Sequence, residues 1–180
     1  MPMRSPPGRP SARIDMDQLT RRANILVRSI GEAYDTLSSH EARLAATPSV
    51  MPTKGWLTSA FARERVHPIL HLARPHEGID VTAPMGAEIE APASGIVTQV
   101  TWVEGYGNML TIDHGYGLVT RYAHCSKILV ARGQRVKRGQ KVALVGSTGL
   151  STGPHLHYEV WVNGRPVNPM KYVLPDAIVD

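Results

Sequence analysis

The chain predicts a mainly β fold, an antiparallel β-sheet of barrel-sandwich-like character, with an N-terminal α-helical extension. Three observations carry this. The 180 residues include 16 glycines and 14 prolines but a single Phe, a composition suited to many turns and short strands. Beyond Trp56, short β-branched runs alternate with Gly, Pro and Asn. Before Thr47, a long Pro-free stretch instead carries apolar residues at helical spacing.

Taken in order, residues 1–14 hold four prolines and three arginines and are expected to form a disordered or extended tail. From Asp15 to Ala46 only Gly31 interrupts a helical pattern. Apolar residues fall at Leu19, Ala23, Leu26, Ile30, Ala33, Leu37 and Leu44, alternating four and three apart, with His40 in the remaining seam position. That spacing predicts a helix over 15–46, either packed on the following domain or forming part of a coiled coil. The second alternative allows a dimer through residues 15–46. Ala and His in the seam argue against a strong isolated coiled coil.

Residues 47–55, with Thr47-Pro48-Ser49 and Met51-Pro52, read as a linker. A β-rich domain follows over 56–175, and 176–180 is a C-terminal tail. Its strand candidates are Ile89 to Val97, broken by Pro92 and Gly95, then Met109 to Ile112, Val119 to Tyr122, Val142 to Val145 and His157 to Val162. Arg132-Gly133-Gln134-Arg135-Val136 is nearly repeated six residues later as Arg138-Gly139-Gln140-Lys141-Val142. Such paired Gly-Gln turns suit tightly wound hairpins like those of biotin and lipoyl carriers. No lysine here sits at an exposed tip in a carrier setting, so that function is set aside. The basic residues of the repeat read as a solvated face.

Hydrophobic content of 42% supports a real core, and the formal charge of +5 suits acidic polymers such as cell wall, lipid or nucleic acid. No RNA-binding aromatic signature or zinc-finger spacing is present, so no nucleic-acid partner is expected. Cys125 is the lone cysteine and can form no intrachain disulfide. No apolar run approaches the ~18 residues of a membrane span. Met1 to Pro10 lacks the apolar core of a secretory signal, so export by another route, or a start upstream of this chain, is expected.

The chemistry concentrates in His76-Glu77-Gly78-Ile79-Asp80 and Gly153-Pro154-His155-Leu156-His157. Histidine and carboxylate are the usual ligands of catalytic zinc, which needs only three from the protein and keeps a fourth position for water. In a strand, His155 and His157 share one face. Glu159 continues that face and is either a residue that orients a ligand His or an exposed strand residue. Gly78, Ile79, Val81 and Pro84 argue against a helix around Asp80, which is expected where a loop enters a strand. This is not a His-Glu-x-x-His helix, so Glu77 is not promoted to general base.

Joint context narrows the reading. Gly55-Trp56-Leu57-Thr58-Ser59, His67-Pro68-Ile69, His76-Glu77-Gly78-Ile79-Asp80, Ala91-Pro92-Ala93-Ser94-Gly95, Tyr122-Ala123-His124 and Ser151-Thr152-Gly153-Pro154-His155-Leu156-His157-Tyr158-Glu159 occur in that order. From about Pro48 to Tyr172 the chain resembles the lysostaphin-type (LytM) zinc metallopeptidases. The resemblance implies that His76, Asp80 and His157 bind Zn²⁺, that His155 lies beside the metal-bound water, and that His124 faces it from the other side. It implies hydrolysis of peptide bonds in peptidoglycan stems or cross-bridges, and hence a periplasmic or extracellular location. His155 is expected as base and His124 as oxyanion stabiliser. The alternative is a non-catalytic module of the same fold that binds peptidoglycan or activates an amidase, but all five site residues are present. The family pattern has Gly where this chain has Ala62, a departure that bears on the groove edge.

The remaining histidines read as structural or exposed: His67 before a proline, His71 and His40 on the surface, His114 in a turn. Cys125, adjacent to His124, points to the opposite face and is not expected as a nucleophile. Tyr106 and Asn108, in a Gly-rich turn, are candidates to line a groove.

Overall fold

The computed structural model describes residues 15–66 and 73–173. The tails 1–14 and 176–180, with His67 and His71, lie outside the described residues. The chain divides into two units, Met1–Glu41 and Ala42–Asp180.

The first unit is the greater part of helix α1 (Met16–Ala46). Asp15 caps its start, Oδ1 accepting from the N–H groups of Asp17 at 3.0 Å and Gln18 at 3.1 Å. The seam residues Leu19, Leu26, Ile30 and Leu37 are all exposed, as is His40. No described helix is long and apolar enough to cross a membrane.

The second unit begins with the last turn of α1, whose Ala46 is buried. The stretch 47–55, expected as a linker, is held down instead: Pro48, Pro52 and Thr53 are buried. The Ser94 N–H donates to the Ala45 carbonyl and the Glu90 N–H to that of Pro52. The Arg138 guanidinium donates to the carbonyls of Pro92, Leu44 and Thr47. Prolines cannot continue the helix, so the chain turns here, and these bonds satisfy its backbone.

Thirteen strands are described. They are β1 (Trp56–Ser59), β2 (Ala62–Val66), β3 (Ala73–His76), β4 (Ile79–Thr82), β5 (Glu88–Glu90), β6 (Gly95–Val103) and β7 (Gly107–Gly115). Then come β8 (Leu118–Ala123), β9 (Lys127–Ile128), β10 (Arg135–Val136), β11 (Lys141–Leu144), β12 (His155–Val162) and β13 (Arg165–Val167). The main sheet runs β1-β4-β12-β8-β7-β6-β10, with β13 also on β12; β5-β11-β9 and β2-β3 form two smaller sheets. The described strands pair antiparallel throughout. The main sheet is open and does not close into a barrel.

One core serves the main and the three-stranded sheets. Ile79, Val81, Leu110, Ile112, Leu156 and Tyr158 meet Ile89, Val142 and Ala143 in it. The Gly-Gln repeat is a structural repeat as well. In each copy the Gln N–H closes a turn, onto Ala131 or Lys137, and the Gln side-chain oxygen accepts from that residue's own N–H. The two turns bond to Val97 and Ala91 respectively, also six residues apart.

His114 is a correction: it lies in β7 rather than in a turn, and is buried. Its Nδ1–H donates to the Ser94 carbonyl at 2.8 Å. Its Nε2 faces the Thr120 hydroxyl at 2.8 Å, which in turn meets that of Tyr122. Burial lowers its pKa, outweighing the Ser94 bond and Asp113. Cys125 is fully buried, and burial pushes its thiol up to about 12, which makes it a poor nucleophile.

Candidate metal centre

His76 ends β3, Asp80 lies in β4 and His157 in β12. Gly78 makes the turn between the first two possible. A Cβ there would meet the Tyr158 carbonyl oxygen at 2.4 Å and the His157 ring at 3.0 Å, so only glycine fits so close to β12. Antiparallel pairing then sets Asp80 directly opposite His157, which places both side chains on one face.

The three side chains converge. His76, Asp80 and His157 each offer one ligand atom, all within 4.8 Å of one another. His76 Nε2 lies 3.1 Å from Asp80 Oδ1 and 3.2 Å from His157 Nδ1, and His157 Nδ1 is 2.8 Å from Asp80 Oδ1. The outer nitrogens are fixed from behind. His76 Nδ1 bonds the Ala60 carbonyl at 2.7 Å, and His157 Nε2 bonds Glu159 Oε1 at 3.0 Å. Carbonyl and carboxylate oxygens only accept, so each outer nitrogen carries a proton. His76 Nε2, His157 Nδ1 and Asp80 Oδ1 therefore face one another.

Electrostatics follow from burial and charge. Burial would raise the Asp80 carboxyl, but bonds from His157 and His76 hold it well below the usual carboxylate range. Burial would lower His157, but Asp80 and Glu159 raise it to about 9. Two imidazoles and a carboxylate, braced at their outer atoms, are a donor set that fits Zn²⁺.

Glu159 is settled as a buried residue, with none of its surface exposed. Besides His157 it accepts from the Tyr106 hydroxyl at 3.0 Å and from Trp161 Nε1 at 2.6 Å. Arg121 lies 3.6 Å from its Oε2 and stacks over the Trp161 ring at 4.0 Å. The burial penalty on the carboxylate is outweighed by His157 first, then by Trp161 and Tyr106, which lower its pKa. The Tyr106 hydroxyl thus turns toward Glu159, and the Asn108 side chain bonds the Cys125 carbonyl.

His124 and His155 stand next to the cluster, their ring centroids 4.6 Å apart and His124 6.1 Å from His157. His124 follows β8 with φ 59°, a left-handed conformation costly for a residue with a Cβ. Its N–H is held by the Tyr106 carbonyl, and its Nδ1–H donates to the Thr148 carbonyl at 2.7 Å. His155 likewise donates Nδ1–H to the Gly153 carbonyl at 2.8 Å, with the Ser151 hydroxyl at 3.2 Å. In the neutral tautomer of either ring the proton therefore sits on Nδ1 and Nε2 is the acceptor. Burial lowers the His124 pKa to about 4, against the Thr148 bond.

The carbonyls of Ala60, Thr148 and Gly153, and the roles of Tyr106, Trp161 and Arg121, escape sequence reasoning. Backbone acceptors have no residue signature, and the aromatic partners come from other strands.

The peptidase family M23 model matches residues 74–169. A peptidoglycan DD-endopeptidase, ShyA of Vibrio cholerae, is 45% identical over 125 residues, 69% of this chain and 29% of its own. A DD-carboxypeptidase/endopeptidase, Mpg of Neisseria meningitidis, is 50% identical over 62% of this chain and 26% of its own. The chain thus spans less than a third of the length of either relative. Among solved structures, a zinc containing peptidase from Vibrio cholerae superposes with a TM-score of 0.66 at 45% identity, over 72% of this chain and 41% of that one. The catalytic domain of lysostaphin from Staphylococcus simulans gives 0.59 at 28% identity, over 66% and 91%. With more than half of its residues matched by the family model, and with the resemblance in its motifs borne out, this chain belongs to peptidase family M23.

Proposed function

We propose that the chain is a zinc-dependent endopeptidase that hydrolyses D,D peptide bonds in peptidoglycan cross-links, acting in the cell envelope. The observation that carries this is the convergence of His76 Nε2, Asp80 Oδ1 and His157 Nδ1 beside two imidazoles with free Nε2 atoms. The choice of bond is supported by relatives named as DD-endopeptidases.

His76, Asp80 and His157 would hold the zinc. A bound zinc supplies Lewis-acid polarisation of the scissile carbonyl and lowers the pKa of water to about 7. The Nε2 atoms of His155 and His124, on rings 4.6 Å apart, are then two acceptors beside the cluster, suited to the protons of an attacking water. His155, in contact with the Ser151 hydroxyl, takes one proton at Nε2 and returns it to the leaving amine as the C–N bond breaks. His124 is neutral near pH 7, held so by burial, and donates to a developing oxyanion only after it has itself accepted a proton. A module that docks on the wall without cutting has no use for these two oriented nitrogens.

The test is mass spectrometry of purified peptidoglycan after incubation with the zinc-loaded chain. Chelator-sensitive release of monomeric stem peptides from D,D cross-links is expected. Unchanged cross-links with zinc bound would refute the activity.

A further inference from the structure

We propose that Tyr106 is a positioning residue that ties the metal cluster to His124, an inference that rests on the zinc hydrolase reading above. Tyr106 lies in the turn between β6, which ends at Val103, and β7, which starts at Gly107, outside every segment that supplies a site side chain. Its two ends reach the two halves of the site.

The side chain serves the metal half. The Tyr106 hydroxyl donates to Glu159 Oε1 at 3.0 Å, the same oxygen that accepts from His157 Nε2 at 3.0 Å. Trp161 and Arg121 occupy the other oxygen, Oε2. Among the described residues Tyr106 and His157 thus share Oε1, and the Tyr106 ring lies 5.6 Å from the His157 ring. Oε1 sets the direction of the Nε2–H bond and hence where the opposite nitrogen, Nδ1, points. A swing of this carboxylate carries Nδ1 away from His76 and Asp80.

The backbone serves the other half. The Tyr106 carbonyl accepts from the His124 N–H at 2.8 Å, at the residue whose φ is left-handed. The turn has little freedom to drift. Gly105 accepts from the Leu150 N–H, and Asn108 bonds both Cys125 and the Thr148 hydroxyl. At Gly107 a Cβ would meet Thr148 Oγ1 at 2.4 Å. The Thr148 carbonyl in turn accepts from the His124 Nδ1–H. The turn and the first residues of β7 thus hold the His124 backbone, the loop that orients its ring and the carboxylate that orients His157.

The two ties are separable by substitution. Tyr106→Phe removes the hydroxyl and keeps ring and backbone; Tyr106→Ala also removes the ring that anchors the turn against His157. Zinc affinity is read by competition with a chromophoric chelator on the full chain, and kcat and KM on a soluble cross-linked stem-peptide dimer at saturating zinc. Tyr116→Phe, at an exposed tyrosine in the next turn, is the control. Tyr106→Phe is expected to weaken zinc binding about tenfold, within the range for partners behind a ligand. Tyr106→Ala is expected to lose at least a further ~tenfold in kcat over Tyr106→Phe, with KM moving less, because His124 is then misplaced. A merely structural role lowers the melting temperature of both variants and leaves the zinc constant of Tyr106→Phe at the wild-type value, which overturns the proposal. Equal kcat in the two variants overturns the tie to His124. If Tyr106→Ala does not fold, Tyr106→Leu takes its place. A wild-type chain that takes up no zinc overturns the hydrolase reading itself, whereas wild-type binding with an unaffected Tyr106→Phe overturns this inference alone.

Discussion

In α1 every residue from Met16 to Ala45 is exposed, whereas in β12 every residue from Leu156 to Val160 is buried. The helix is held by bonds among near neighbours: its own ladder, the Asp15 cap and an exposed Arg28–Glu32 pair four residues apart. Such a pair contributes little. The strand is held by partners far away in sequence, with β4 and β13 on one side and β8 on the other. Order in the first case follows from propensity along the chain. Order in the second follows from burial shared among segments that the chain brings together only on folding. The candidate site belongs wholly to the second kind, since its five proposed residues come from β3, β4, β12 and the end of β8.

The largest effect that sharpens this contrast is a core truncation. Leu156→Ala, at a fully buried position, is expected to cost about 2–5 kcal/mol in denaturant unfolding of the β unit. Leu26→Ala in the exposed seam should stay within about 0.5 kcal/mol. Equal costs break the comparison. A cost at Leu26 that grows with protein concentration instead marks self-association through α1, as the seam spacing allows.

A smaller effect concerns pH. His114 is buried with its pKa lowered, chiefly by desolvation. The unfolded chain, near pKa 6.5, therefore binds a proton before the folded one does. Stability contributed by neutral His114 is full above that value and is lost as pH falls from about 6.5 toward the folded pKa. Unfolding measured between pH 7 and 5 should show a shallower pH slope in His114→Asn than in wild type. Parallel slopes would show that His114 is not a source of the acid lability.

Much of the site was legible because its chemistry is carried by side chains in short motifs. His76, Asp80, His155 and His157 announce themselves by type, and strand alternation places His155, His157 and Glu159 on one face, as found. His114 is illegible in the sequence because Asp113 and Gly115 signal a turn, and only the fold reveals that Ser94 and Thr120 close around its ring. Glu159 stayed open between two readings, since neither Tyr106 nor Trp161 carries a local signal toward it. The stretch 47–55 looked like a linker because prolines punctuate it. Its burial depends on Glu88, Glu90 and Arg138, which lie far along the chain. In each case the missing information was a contact at long sequence separation.

The most direct measurement is zinc stoichiometry and turnover for wild type, His157→Ala and His124→Ala, on one preparation of cross-linked peptide. The expected result is one zinc per wild-type chain, none in His157→Ala with no turnover, and one in His124→Ala with kcat reduced about 10²–10⁴-fold. Full turnover by a zinc-free His157→Ala protein would contradict the assignment of His76, Asp80 and His157 as the metal site.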